Sequence, residues 1–189
     1  MTNNTLGILG QVNPSPSSSE DEPSMAALGR FVVSYANAEH QVHLFARDLT
    51  RLSDAKARIV FSGMRLGDLS ERIRGLLRVA EISTKRYTEA DACLQQLDLI
   101  ATQRNNLVHR FVQYHNKRIL VTNVVIAKSV ETAEEQVFTK DDLEHMDEDC
   151  AAITLRLALL CGREVTTPHK KWARGPWRYK PPRRAPKRK

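Results

Sequence analysis

Apolar residues recur at alternating steps of three and four positions through most of the chain, and this spacing constrains its fold more than any other feature. The clearest run lies between residues 143 and 160 and contains Leu143, Met146, Cys150, Ile153, Leu157 and Leu160. Such a run places one apolar stripe along a helix. Three earlier segments, beginning at Met25, Asp68 and Thr88, carry similar stripes. The sequence therefore predicts four amphipathic helices around one core.

One segment breaks this helical spacing. Residues 118–128 read RILVTNVVIAK, a β-branched run that favours a strand, and residues 136–138 are its expected hairpin partner. Residues 53–67 are predicted to be an irregular connection. Thr139 followed by two acids is a strong helix start signal, and Gly162 ends the last helix. The predicted fold class is all-α, a four-helix bundle with a short β-hairpin inserted before the last helix.

Both ends of the chain differ in composition from this domain. Residues 1–24 are rich in Ser, Pro, Asn and acids and are predicted to be disordered, whereas residues 25–162 form the helical domain. Residues 163–189 hold 11 Lys or Arg and one acid, while residues 1–162 hold 18 Lys or Arg and 21 acids. The prolines among these cations predict a disordered basic tail. Its removal after Gly162 is expected to leave the fold intact, because the apolar spacing ends at Leu160.

The basic tail is predicted to bind RNA. Cations neutralise phosphates, and aromatic rings stack on unpaired bases. The candidate residues combine the two types: Lys170, Lys171, Trp172, Arg174, Trp177, Arg178, Tyr179, Lys180, Arg183 and Arg184. The alternative is a generic basic tail that adds solubility or binds an acidic protein surface.

Several classes of protein are excluded by composition. The amino-terminal residues lack the charged and apolar regions of a signal peptide, and no run of 18 apolar residues occurs, so a cytoplasmic protein without a membrane partner is expected. The three cysteines are widely spaced within apolar patterns, which predicts reduced core residues rather than disulfides. No CxxC pair suggests zinc. No metal or other cofactor is expected.

One short segment carries chemistry that the rest of the chain lacks. Residues 104–109 read RNNLVH, at the end of the third predicted helix. A guanidinium holds a phosphate oxygen through two hydrogen bonds, and an imidazole exchanges protons near neutral pH. These groups suit chemistry on a phosphodiester. The structural alternative is that Arg104 and His109 only satisfy the last carbonyls of the helix.

The spacing of Arg104 and His109 poses a geometric problem. At 100° per residue they lie about 140° apart around an ideal helix. Either the helix loosens after Asn106, or two copies of the segment converge in a cleft at a two-fold dimer interface.

This arrangement resembles the HEPN superfamily, whose R-x4-6-H motif lies late in the third helix of a four-helix bundle. The resemblance covers residues 25–162. It implies a homodimeric, metal-independent endoribonuclease that acts as a toxin or as a stress or defence effector, with 2′,3′-cyclic phosphate and 5′-hydroxyl products. It also implies Arg104 and His109 as catalytic residues and Asn105 as the residue that positions them. A separate antitoxin or other regulator is the expected protein partner. The alternative is a non-catalytic HEPN-type dimer that binds nucleic acid or protein.

One position departs from a branch of this family. HEPN toxins that are controlled by a nucleotidyltransferase carry a tyrosine two residues after the histidine, and this chain has Phe111 there. Control by modification of a hydroxyl at this position is therefore excluded.

Two histidines on the first predicted helix raise weaker possibilities. His40 and His43 are three positions apart, beside Glu39. A metal site is disfavoured because no second ligand cluster is evident. The remaining interpretations are a solvated helix face, or a face on which Glu39 or His43 orients the RNNLVH groups. His115 is expected in the turn that leads into the predicted strand.

Overall fold

The computed structural model describes residues 22–80, 82–115, 118–123, 134–163 and 175–181. The described residues are mostly helical and include a small antiparallel sheet with strand order β1-β2-β3. The elements are α1 (Glu22–Thr50), α2 (Asp54–Phe61), α3 (Leu66–Val79), α4 (Thr84–His109), β1 (Phe111–His115), β2 (Arg118–Thr122), β3 (Glu135–Thr139) and α5 (Lys140–Leu160).

The most extensive contact between helices joins α1 to α5, and α4 also packs against α5. The buried side chains of α1 and α5 include those that the three-and-four spacing predicted: Phe31, Val42, Phe45, Leu143, Met146, Cys150, Ile153 and Leu157. Helix α5 begins where the sequence predicted. The Thr139 hydroxyl accepts from the Asp142 amide at 3.1 Å, and the Asp142 carboxylate accepts from the Thr139 amide at 2.9 Å. This capping box satisfies two donors that the helix leaves free.

The first half of the domain differs from the predicted layout at its connections. Residues 54–61 form α2, where an irregular connection was predicted, because Ala57 and Phe61 are one turn apart and bury one narrow face. Their neighbours Ile59 and Val60 remain exposed. Helix α4 begins at Thr84, capped by the Ser83 hydroxyl, one turn before the predicted start at Thr88.

The inserted β-structure has three strands rather than two. Strand β2 pairs with β3, as the hairpin prediction required, and Ile119 lies opposite Phe138 in the buried face. Residues 111–115 add the unpredicted strand β1, which pairs antiparallel with β2. His115 is the last residue of β1 and pairs with Arg118, so it precedes the turn. Residues 124–128 of the predicted strand lie outside the described residues.

A cluster of charged side chains joins α3 to α4. The half-buried Arg74 guanidinium forms ion pairs with Asp91 at 2.9 Å and with Asp98 at 2.8 Å. Burial disfavours the charge on Arg74, but hydrogen bonds to Asp98 and Asp91 outweigh that cost and raise its pKa. The cluster therefore fixes the position of α4 relative to α3.

Two of the three cysteines are core residues, as the sequence predicted. All three are free thiols, with Cys93 and Cys150 buried and Cys161 half-buried. Burial and a hydrogen bond to Asp48 raise the pKa of Cys161 to about 11, so the thiol is neutral at physiological pH. Among the described residues, no helix combines the length and apolar character that crossing a membrane requires.

Candidate functional site

Arg104 is held against the first helix by an aromatic ring. Its guanidinium carbon lies 5.5 Å from the centroid of the Tyr35 ring, which places a cation over an aromatic face. Tyr35 is 5% exposed, and Phe31 meets its ring edge to face at 6.4 Å. The direction of the guanidinium is therefore set by a contact between two helices and not by solvent.

The hydrogen bonds of Arg104 leave part of its donor capacity unused. Nη1 donates to the side-chain oxygen of Asn105 at 3.2 Å. Nε is buried, and no acceptor among the described residues bonds to it. A guanidinium has five N–H donors, so Arg104 retains unbonded donors on Nη1 and Nη2, whereas the buried Nε is not accessible to an external anion. Asn105 was predicted to position the site, and that role stays a prediction.

The Tyr35 hydroxyl lies in an environment that keeps it neutral. Burial is the largest cause that raises its pKa, and the nearby Glu39 carboxylate raises it further. Arg104 opposes both effects. Tyr35 therefore presents a neutral ring to the guanidinium at any physiological pH, and Glu39 lies close enough to affect the same site.

His109 is the last residue of α4 and is exposed. The helix continues to this residue, and the next amide, of Arg110, still donates to the Asn106 carbonyl at 3.2 Å. The geometry in which the helix loosens after Asn106 is therefore not adopted. Arg104 and His109 remain about 140° apart around the helix axis. A single chain brings Arg104 to Tyr35 and directs His109 to solvent.

A chain of amides next to this site was not predicted. The Asn106 side chain donates to Gln136 at 3.1 Å, and Gln136 donates to Gln103 at 2.6 Å. Gln103 is buried, and these contacts tie the last turns of α4 to strand β3. The sequence signal for this buried amide was the polar Gln103, which lies on the face of α4 that otherwise carries apolar residues.

His40 and His43 line a cavity of about 490 Å³ between α1 and α2. No residue of the RNNLVH segment lines this cavity. Burial lowers the pKa of His43, while the neighbouring Glu39 opposes that shift. Glu39 is thus the group on this face that acts on both His43 and Tyr35. No group of three or more potential metal ligands occurs among the described residues.

Residues 175–181 depart from the prediction of a disordered tail. The Asp149 carboxylate, in a residue that is 2% exposed, accepts from the backbone amides of Arg178 and Tyr179 at 2.9 Å each. The Gln96 side chain donates to the same carboxylate at 2.8 Å. Three donors on one buried carboxylate satisfy a group that would otherwise be costly to bury. We call residues 175–181 the C-terminal strap.

The aromatic residues of the strap pack against the helical domain. Tyr179 is 2% exposed and joins the hydrophobic core, and burial raises its pKa to about 12. The Arg156 guanidinium lies over the Trp177 ring, 4.1 Å from its centroid, and also donates to the Gly175 carbonyl. Arg178 forms an ion pair with Glu148 at 2.8 Å. Predicted as base-stacking groups, Trp177 and Tyr179 instead contact the domain itself.

The other residues predicted to bind RNA divide into two sets. Lys180 is exposed at the end of the strap. The remaining six lie outside the described residues: Lys170, Lys171, Trp172, Arg174, Arg183 and Arg184. Their assignment to RNA binding stays a prediction.

No protein-family model matches this sequence, and comparison with curated proteins and with solved structures gives no match either.

Proposed function

We propose that the chain is a HEPN-like, metal-independent endoribonuclease that acts as a homodimer. The observation that carries this proposal is the Arg104 guanidinium, which is fixed on Tyr35 with hydrogen-bond donors to spare, one and a half helical turns before the exposed His109. A fixed cation and an imidazole are the two groups that phosphodiester chemistry requires, and a second chain is needed to bring them together. The proposal includes a HEPN-like bundle in which the RNNLVH segment lies at the dimer interface.

The direction of the two side chains favours a site that two chains share. Since Arg104 and His109 point about 140° apart on one helix, His109 of one chain complements Arg104 of the other when two α4 helices meet at a two-fold axis. In that cleft each phosphate meets the guanidinium of one chain and the imidazole of the other.

The proposed reaction needs no group beyond the RNA and these side chains. The 2′-hydroxyl attacks the adjacent phosphorus while one His109 imidazole takes its proton. Arg104 stabilises the extra negative charge on the phosphate oxygens in the transition state. The bond to the 5′-oxygen breaks, and that oxygen takes the proton back from the same, now protonated, imidazole. The products are a 2′,3′-cyclic phosphate and a 5′-hydroxyl.

The biological role that we propose is that of a toxin or a stress or defence effector with a separate antitoxin. Control by modification at the position two residues after His109 is excluded, because Phe111 has no hydroxyl. The basic residues outside the strap supply the affinity for RNA. A non-catalytic binding module is the second candidate, and the exposure of His109 away from Arg104 within one chain favours it.

RNA cleavage in EDTA tests this proposal. The wild-type protein is expected to cut single-stranded RNA and to leave DNA of the same sequence intact, because DNA lacks the attacking hydroxyl. Both His109→Ala and Arg104→Ala should lose at least about 100-fold in rate, whereas His145→Ala, a histidine of α5, serves as the matched control. RNA that stays intact, or cleavage that persists undiminished in His109→Ala, would exclude the enzyme and leave the binding module.

Sedimentation tests the shared site. A dimer at micromolar concentration is expected, and mixtures of Arg104→Ala with His109→Ala should regain activity, because one site in the mixed dimer combines the two intact residues. Active monomers would contradict the shared site.

A further inference from the structure

The cavity between α1 and α2 has the composition of a ligand site. It measures about 490 Å³, which lies within the range of pockets that hold small molecules. Helix α1 contributes His40, His43 and Arg47, and helix α2 contributes Arg58 and Phe61. A few polar groups around an apolar base are the usual arrangement in such pockets.

The charges around the cavity leave one cation available. The Arg47 guanidinium is occupied by Asp48 and Asp54, at 2.7 and 2.8 Å. The second pair also neutralises Asp54, the acid that lines the cavity. Arg58 is exposed, and its guanidinium forms no ion pair within the described part of the chain. The cavity therefore favours an anionic group beside Arg58.

The rest of the lining suits a flat, partly apolar group. His40 and His43 lie on one face of α1, three positions apart, and burial keeps His43 largely neutral by lowering its pKa. A neutral imidazole donates and accepts one hydrogen bond each and offers a flat ring. Ala57 and Phe61 are buried at the base of the cavity. A heterocyclic base matches such a surface better than a lone inorganic anion does.

The cavity also lies along the helix face that leads from Arg104. Tyr35, Glu39 and His43 occupy successive positions four residues apart on α1, and Glu39 acts electrostatically on both of the others. At 1.5 Å per residue, Tyr35 and His43 are separated by about 12 Å along the axis. An RNA strand bound at Arg104 that follows α1 toward its C-terminal end therefore reaches the cavity.

We propose that this cavity binds one nucleotide of the RNA substrate, with its phosphate at Arg58 and its base between the imidazoles of His40 and His43. This inference rests on the proposed ribonuclease function, because it takes the phosphate at Arg104 as the site of cleavage. It identifies a second contact on the strand, away from the cleaved bond.

Nuclear magnetic resonance of the imidazole groups tests the proposal without any cleavage step. Adenosine 5′-monophosphate, added to the full chain, should shift the His40 and His43 signals in a saturable way and leave that of His145 unmoved. Arg58→Glu should weaken binding at least about tenfold, since a charge-assisted contact is lost. Arg65→Glu is the matched control, because Arg65 is an exposed arginine outside the cavity.

Two further probes separate a nucleotide from its parts. Inorganic phosphate and adenosine alone should each bind at least about tenfold more weakly than the mononucleotide. Equal binding of phosphate, unchanged binding in a folded Arg58→Glu protein, or no saturable shift would overturn the proposal. A protein that binds the mononucleotide here but does not cut RNA would instead refute only the cleavage reaction. The two failures are thus distinguishable.

Discussion

The guanidinium of Arg104 lies over the ring of Tyr35 across the contact between α4 and α1, with 5.5 Å between the guanidinium carbon and the ring centroid. Tyr35 is itself packed against Phe31 and is almost fully buried. The orientation of the cation therefore depends on the core of the domain.

Replacement of Tyr35 tests whether the ring positions Arg104. Tyr35→Phe keeps the aromatic face, whereas Tyr35→Leu removes it and loses a cation–π contact of about 0.5–2 kcal/mol. If Arg104 stabilises the transition state, the Leu variant should cut RNA roughly 2- to 30-fold more slowly, mainly through kcat. Thermal melting of both variants controls for lost stability. Equal rates for the Phe and Leu variants would show that the ring does not orient the guanidinium.

Truncation at two points separates the strap from the residues that follow it. A chain that ends at Gly162 loses Tyr179 from the core and leaves the buried Asp149 carboxylate without two of its donors. We expect its unfolding free energy to fall by about 3 kcal/mol or more, as for removal of a buried aromatic residue. A chain that ends at Pro181 retains the strap and should unfold at the wild-type urea concentration. Equal stability of both truncated chains would contradict the structural role of the strap.

The chain that ends at Pro181 also tests RNA binding. Residues 182–189 contain five cations, so a chain that ends at Pro181 should bind single-stranded RNA more weakly at low salt. The slope of log affinity against log salt should fall by up to about 3.5, since each phosphate contact contributes roughly 0.7. Trp177→Ala should change affinity little, because its ring already contacts Arg156. If Trp177→Ala stayed folded but lost much of its RNA affinity, Trp177 would be an RNA-binding residue after all.

The buried Asp149 predicts a pH dependence of stability. Burial, the largest cause, raises its pKa in the folded chain above the ordinary value of 3.8, although hydrogen bonds from the Arg178 and Tyr179 amides oppose the shift. The folded state then binds more protons than the unfolded state, so this contribution is fully present below pH 3.8 and is lost as pH rises through the folded pKa. Relative to Asp149→Asn, wild-type unfolding free energy should therefore decline across that window.

Urea titrations at several pH values measure this difference. Gln96→Leu provides an internal comparison, because removing one donor to the carboxylate should raise its pKa further and extend the window upward. Parallel stability curves for the wild-type protein and Asp149→Asn would show that the carboxylate is not perturbed by burial.

The parts of the fold that the sequence predicted are those with repeated local signals. The apolar spacing located the long helices, and Thr139 with Asp142 located the start of α5, because both signals act within one or two helical turns. Helix α2 was missed since only Ala57 and Phe61 are buried on it, while Ile59 and Val60 gave an apolar pattern that the fold does not bury.

The strap and the Arg104 contact depend on residues that are distant in sequence. Tyr35 and Arg104 are separated by about half of the helical domain, and Gln96 meets Tyr179 across 83 positions. The prolines and cations around Tyr179 resemble those of a solvated tail, and a single aromatic residue gives no periodicity. The presence of two aromatic residues, Trp177 and Tyr179, within three positions was the one sequence sign that this segment packs against the domain.

The strap also sets an order of events during synthesis. Asp149 precedes Arg178 by 29 residues, so at roughly 5–20 residues per second the carboxylate waits roughly 1.5–6 s for its backbone donors. Throughout that interval Tyr179 is absent from its place between Gln96 of α4 and Asp149 of α5, and the Asp149 carboxylate is exposed to water. Completion of the fold is therefore a late step that follows the synthesis of the last helix.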